Sequence, residues 1–153
     1  MKKSTQRNAF TLIEVLIVVI IMAVLAATII PQFSTSTEDA MHSTVDFNLN
    51  TMRSQIEMFR AEHQGTYPTM TGFVDQMTKP TNISGGFSGD TVYGPYVTEI
   101  PKNPFNDSND VAAVAVEGTA PEDVVEGDAG WQYDQSTGDF YPNHEEAYAG
   151  GGG

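Results

Sequence analysis

FTLIEVLIVVIIMAVLAATIIPQF, residues 10–33, is an apolar run interrupted near its start by one acid, Glu14. From Val15 to Ile30 only Thr28 is not apolar, and the length suits a bilayer crossing of about 20 residues. A lone strand has no way to satisfy its backbone in lipid, so the run is expected to be helical despite its β-branched content. A carboxylate placed in hydrocarbon costs roughly 2.5–3.5 kcal/mol on insertion scales, so Glu14 marks a function unless it snorkels to the headgroups. Lys2, Lys3 and Arg7 precede the run, which favours a cytoplasmic N-terminus and a remainder across the membrane. An ordinary signal peptide is the competing reading, with Val24-Leu25-Ala26 as the cleavage site before Ala27. Against it stand the position of Glu14 and the helical pattern that follows.

That pattern places apolar residues at Met41, Val45, Leu49, Met52, Ile56 and Phe59. Steps of three and four define one buried helical face. Gly65 supplies a stop and Pro68 opposes resumption. The expectation is one helix from about Phe10 to Gln64, apolar all round over 10–33 and amphipathic over 34–64. Pro31 is expected to kink it, because its ring removes a backbone donor.

Beyond the helix, Thr71–Met77 reads as a short helical turn. Residues 79–110 are rich in Pro, Gly, Asn and Asp and read as an ordered loop. Val111–Val116 is a strand candidate, and Ala120–Gly127 an acidic loop. Gly130–Asp134 and Asp139–Pro142, joined by Gln135-Ser136-Thr137-Gly138, form the best hairpin. Gly150–Gly153 reads as a flexible tail.

The formal charge is −13, and without residues 1–9 it becomes 4 − 20 = −16. From Asn103 onward there is no Lys or Arg. Such a surface repels phosphate backbones, so nucleic-acid binding is not expected. With no cysteine, disulfides, thiolate metal sites and a cysteine nucleophile are excluded. No nucleophile elbow or phosphate-binding loop occurs, and no enzyme is expected. His42, His63 and His144 share no metal-ligand spacing and read as solvated. Trp131, Tyr133, Phe140 and Tyr141 read as side chains packed on the helix rather than a sugar-binding platform.

A basic leader, a small residue and then Phe10-Thr11-Leu12-Ile13-Glu14 at the head of an apolar helix resembles the class III signal of type IV pilins and type II secretion pseudopilins. The resemblance continues in Glu62-His63-Gln64-Gly65-Thr66-Tyr67-Pro68, similar to the turn that closes the long helix of pseudopilins. Tyr93-Gly94-Pro95-Tyr96-Val97, Ile100-Pro101-Lys102-Asn103-Pro104-Phe105-Asn106, Gly130-Trp131-Gln132-Tyr133-Asp134 and Thr137-Gly138-Asp139-Phe140 resemble the G-type branch. Residues 107–129 are the least matched. The resemblance implies a prepilin peptidase that removes residues 1–9 by cutting between Ala9 and Phe10, then methylates Phe10. The residue before the cut is usually Gly in the family and is Ala9 here. Glu14 would accept the new amine of Phe10, in its own chain or from a neighbouring subunit. Pro31 matches a proline often found where the family helix bends.

The implied fold is α+β and pilin-like, a long N-terminal helix packed on a small antiparallel β-sheet drawn from residues 65–149. The implied function is that of a major pseudopilin, a homo-oligomeric filament subunit in the inner membrane and periplasm. Its partners would be the peptidase, the secretion platform with its cytoplasmic motor, and the minor pseudopilins. A type IV pilin of a surface filament is the alternative, and a non-assembling secreted or anchored binding module is a second. The family's major pseudopilin often binds calcium near its C-terminal strands. Asp134 and Asp139 are the candidate ligands here, with ordinary turn chemistry around Gly138 as the competing reading.

Overall fold

The computed structural model describes residues 10–125 and 127–145, and for residues 28–36 the backbone alone. Ala9 and the Gly150–Gly153 tail lie outside the described residues. The chain divides into two compact units, Met1–Ala40 and Met41–Gly153.

Helix α1 spans Leu12–Glu62 as one element, close to the span read from the apolar pattern. It ends where Gln64 and Gly65 adopt left-handed conformations, φ 59° and 82°. Gly65 N–H then donates to the Arg60 carbonyl at 2.9 Å, satisfying an acceptor the helix leaves behind. The kink expected at Pro31 concerns a residue whose side chain is not described.

In the second unit the predicted face of α1 is the core. Val45, Leu49, Met52, Ile56 and Phe59 are buried, while Met41 is half-buried. They pack with Phe73, Met77, Ile100, Trp131, Tyr133 and Phe140. Each such side chain contributes about 1.5–3 kcal/mol on burial. A 3-10 turn, Met70–Gly72, leads into the short helix α2, Phe73–Thr78. Thr69 caps the turn by accepting from Gly72 N–H, and α2 buries Phe73, Gln76 and Met77.

Three strands follow: β1 Val111–Ala113, β2 Trp131–Tyr133 and β3 Phe140–Pro142, in sheet order β1-β2-β3. The hairpin expectation holds, with β2 and β3 antiparallel and Gln132 opposite Tyr141. The expectation of an all-antiparallel sheet does not. Strand β1 runs parallel to β2, with Ala112 opposite Gln132, so the sheet is mixed. Residues 114–130 explain this, because they exceed the dozen or so residues a parallel return requires.

The motifs scattered along the loops meet around this sheet. Trp131 Nε1 donates to the Pro101 carbonyl at 2.7 Å, and Asn103 Nδ2 to the Gly130 carbonyl at 2.8 Å. Tyr133 Oη donates to the Pro68 carbonyl at 2.9 Å, and Tyr96 Oη to Glu62 at 2.6 Å. Burial and, for Tyr96, its carboxylate partner raise both phenols well above the usual tyrosine range. Gly138 has φ 81°, and a Cβ there would overlap the Tyr67 ring. Only glycine fits both demands.

His63 corrects the reading of solvated histidines. It is buried and stacked on Phe59 with ring centroids 3.7 Å apart. Its Nδ1 lies 2.7 Å from the Phe59 carbonyl and its Nε2 2.9 Å from Thr81 Oγ1. The carbonyl can only accept, so Nδ1 carries a proton. His63 sits four residues after Phe59, continuing the buried face by one turn.

Candidate assembly site at the helix head

The first unit is described from Phe10, and every described side chain from Phe10 to Ala27 is exposed. Phe10 is 87 % exposed, and Ile20, well inside the run, is 53 % exposed. A contiguous apolar surface on this scale marks an interaction with a membrane or another protein. Among the described residues no helix is long and apolar enough to cross a membrane. Leu12–Ala27 spans about 24 Å of helix at 1.5 Å per residue.

The head of α1 is closed by a reciprocal cap. Thr11 precedes the first helical residue, and Glu14 stands three positions later. Thr11 N–H donates to Glu14 Oε2 at 2.8 Å, and Thr11 Oγ1 donates to the same oxygen at 2.7 Å. Glu14 N–H lies 3.4 Å from Thr11 Oγ1 and 3.2 Å from the Thr11 carbonyl. This is a capping box, in which a Ser or Thr and a Glu three residues on satisfy each other's backbone donors. It aims the carboxylate toward the start of the chain, at the positive end of the helix dipole. Phe10, Glu14, Val15, Val18 and Val19 together line a shallow groove beside it. Phe10 and Val15 stand at the positions of a hydrophobic staple, one before the cap and one four residues into the helix.

Of the residues expected at this site, Phe10 and Glu14 are on one groove, and Ala9 lies outside the described residues. Thr11 was not singled out from the sequence. The signal that identifies it is the Thr11-Leu12-Ile13-Glu14 spacing itself, which serves as a cap as well as part of the processing motif.

Residues 4–30 match a family model described as the prokaryotic N-terminal methylation motif. Three curated relatives carry the name type II secretion system core protein G. That of Vibrio cholerae is 28 % identical over 120 residues, 78 % of this chain and 80 % of its own. The chain is similar to type IV pilin-like proteins of the major-pseudopilin kind. The Pseudomonas aeruginosa relative is 28 % identical over 76 residues, covering 50 % of this chain and 54 % of the relative. The Klebsiella michiganensis relative is 25 % identical over 108 residues, covering 69 % and 72 %. No solved structure matches the chain.

The two aspartates proposed for calcium flank the β2–β3 turn, and their surroundings differ. Asp134 is buried and Asp139 exposed. Burial alone raises the Asp134 carboxyl, but hydrogen bonds from Ser136, Gly118 and Thr137 outweigh it and hold the group below the usual carboxylate range. Calcium takes six to eight oxygen ligands. Among the described residues no three His, Asp or Glu side chains come together in a way that would hold a metal ion. Asp134 and Asp139 by themselves would leave most of that shell to carbonyl oxygens and water.

Proposed function

We propose that this chain is a pseudopilin, the main building subunit of a short periplasmic filament, the pseudopilus of a type II secretion system. The observation that carries the reading is Glu14, an acid capped at the head of an exposed apolar helix and contained in the methylation motif. The similarity to core protein G over most of both chains points to secretion. In this reading residues 10–33 lie in the inner membrane, with the leader cytoplasmic and the second unit periplasmic. A prepilin peptidase cuts between Ala9 and Phe10, and the methylated amine of Phe10 is positive.

Glu14 stands four residues from that amine, about one helical turn. Its carboxylate already points toward the chain start through the Thr11 cap. An amine arriving from an adjacent subunit therefore meets an acceptor that needs little rearrangement. Two charges that are costly in hydrocarbon neutralise each other on assembly. The subunit itself acts structurally and is a substrate of the peptidase. Secretion platform, motor and minor pseudopilins are its expected partners.

Deleting the gene in its native host is the test. Loss of protein export without loss of surface fibres is the expected result. Long surface fibres that disappear while export continues would move the assignment to a surface pilus.

A further inference from the structure

The turn between β2 and β3 is organised around Asp134, a carboxylate for which assembly at the helix head has no use. Asp134 is 1 % exposed, and donors of the chain itself take both of its oxygens. Ser136 gives its N–H and Oγ to Asp134 Oδ1, at 2.8 and 2.7 Å. Gly118 N–H reaches Oδ2 from another part of the chain, at 2.5 Å. The Asp134 backbone is also engaged, its N–H with the Asp139 carbonyl at 2.9 Å and its carbonyl with Gly138 N–H at 2.8 Å.

Gly118 belongs to the loop 114–125, which leaves β1 before the chain returns to β2. The far end of that loop is tied as well. Val125 N–H donates to Asn143 Oδ1 at 2.8 Å, and Asn143 Nδ2 donates back to the Val125 carbonyl at 3.2 Å. Gln132 Nε2 donates to the Asp123 carbonyl and to Asn143 Oδ1, both at 3.0 Å. Gln132 and Asn143 are themselves buried. The loop is therefore fastened at both ends by buried side chains of β2, the turn after it and the residue following β3.

A cation at Asp134 would compete with Gly118 and Ser136, whose donors already occupy lone pairs on both carboxylate oxygens. The exposed Asp139 supplies no substitute shell. In the earlier loop Asp107 is paired with Lys102 at 3.0 Å. We propose that the loop 114–125 is held by an ion-free latch, Asp134 at one end and Asn143 with Gln132 at the other, where the family resemblance places calcium. Charge-assisted bonds from backbone N–H and hydroxyl groups stabilise the Asp134 carboxylate in the way a bound cation would. This inference stands apart from the assembly reading and survives if that reading fails.

The test uses the full chain in detergent micelles, with thermal unfolding and limited proteolysis in calcium chloride and in EGTA. Expected are superimposable melting curves for the wild type and equal protection of 114–125 in both solutions. Asp134→Asn and the milder Ser136→Ala should both speed cleavage within 114–125, by the same factor with and without calcium. A calcium-dependent rise of several degrees in wild-type midpoint, lost in Asp134→Asn, would overturn the latch. So would unchanged cleavage of 114–125 in both variants. If Asp134→Asn does not fold, Ser136→Ala and the wild-type calcium comparison decide the matter.

Discussion

Between Phe10 and Ala27 every described side chain is exposed, whereas between Val45 and Phe59 one face of the same helix is buried and the other is wet. Both stretches are helical and both carry large aliphatic residues. The second is amphipathic and finds its cover within its own chain, in β2, β3 and α2. The first is apolar on all sides, so no single-sided cover completes it. Its only described charge, Glu14, is held at the very start by Thr11. Burial inside the chain is what gives the second half its stability. The first half is left for whatever surrounds the subunit.

The largest effect is expected at Glu14. Glu14→Ala should abolish filament assembly while leaving the membrane fraction of the protein unchanged or higher, as fractionation and electron microscopy would reveal. Normal filaments from that variant would remove the acid from the account. In the other half, Phe59→Ala should cost about 3–5 kcal/mol and Ile56→Ala about 2–5 kcal/mol, by chemical denaturation in micelles. Both should leave cleavage of the leader intact.

Gly138→Ala sits next in the order, since it strains a left-handed residue and drives a methyl into Tyr67. A loss of about 1–3 kcal/mol is expected. Thr11→Ala should cost about 1 kcal/mol of helix stability, confined to the first turn and visible as faster amide exchange there. Thr11→Ser should restore it. Val18→Ala is expected to change the unfolding of the second unit by less than about 0.5 kcal/mol, because its side chain is exposed.

Acid offers another probe of the second unit. Asp134 titrates lower folded than its ordinary value of 3.8. The stability it contributes is therefore fully present above about pH 4 and is lost as pH falls through its folded value. Asp134→Asn should flatten that acid limb in a pH series of denaturation midpoints. Asp139, Tyr133 and Tyr141 lie near it, and the tyrosines remain neutral throughout that range.

How much of this was legible in the sequence follows the same division. The 3.6-residue period announced α1 and its buried face from Val45 to Phe59, and its continuation to His63 was there to be followed. The Gln135–Gly138 turn announced the β2–β3 hairpin. What eluded the sequence is non-local. The parallel pairing of β1 with β2 depends on where residues 114–130 return. The partner of Asp134 is Gly118, sixteen residues away. A backbone N–H leaves no mark on residue identity, so an aspartate bonded to one reads the same as an aspartate awaiting a metal. At the helix head, Glu14 stood out as a charge in an apolar run, while its capping partner Thr11 was hidden by being ordinary.

Assembly as proposed requires that the helix head be exposed by processing and then completed by another subunit. Mass spectrometry of the N-terminal peptide from the mature protein addresses it directly. A chain beginning at N-methylated Phe10 is the predicted result. A chain beginning at Ala27, with Glu14 discarded, would contradict it.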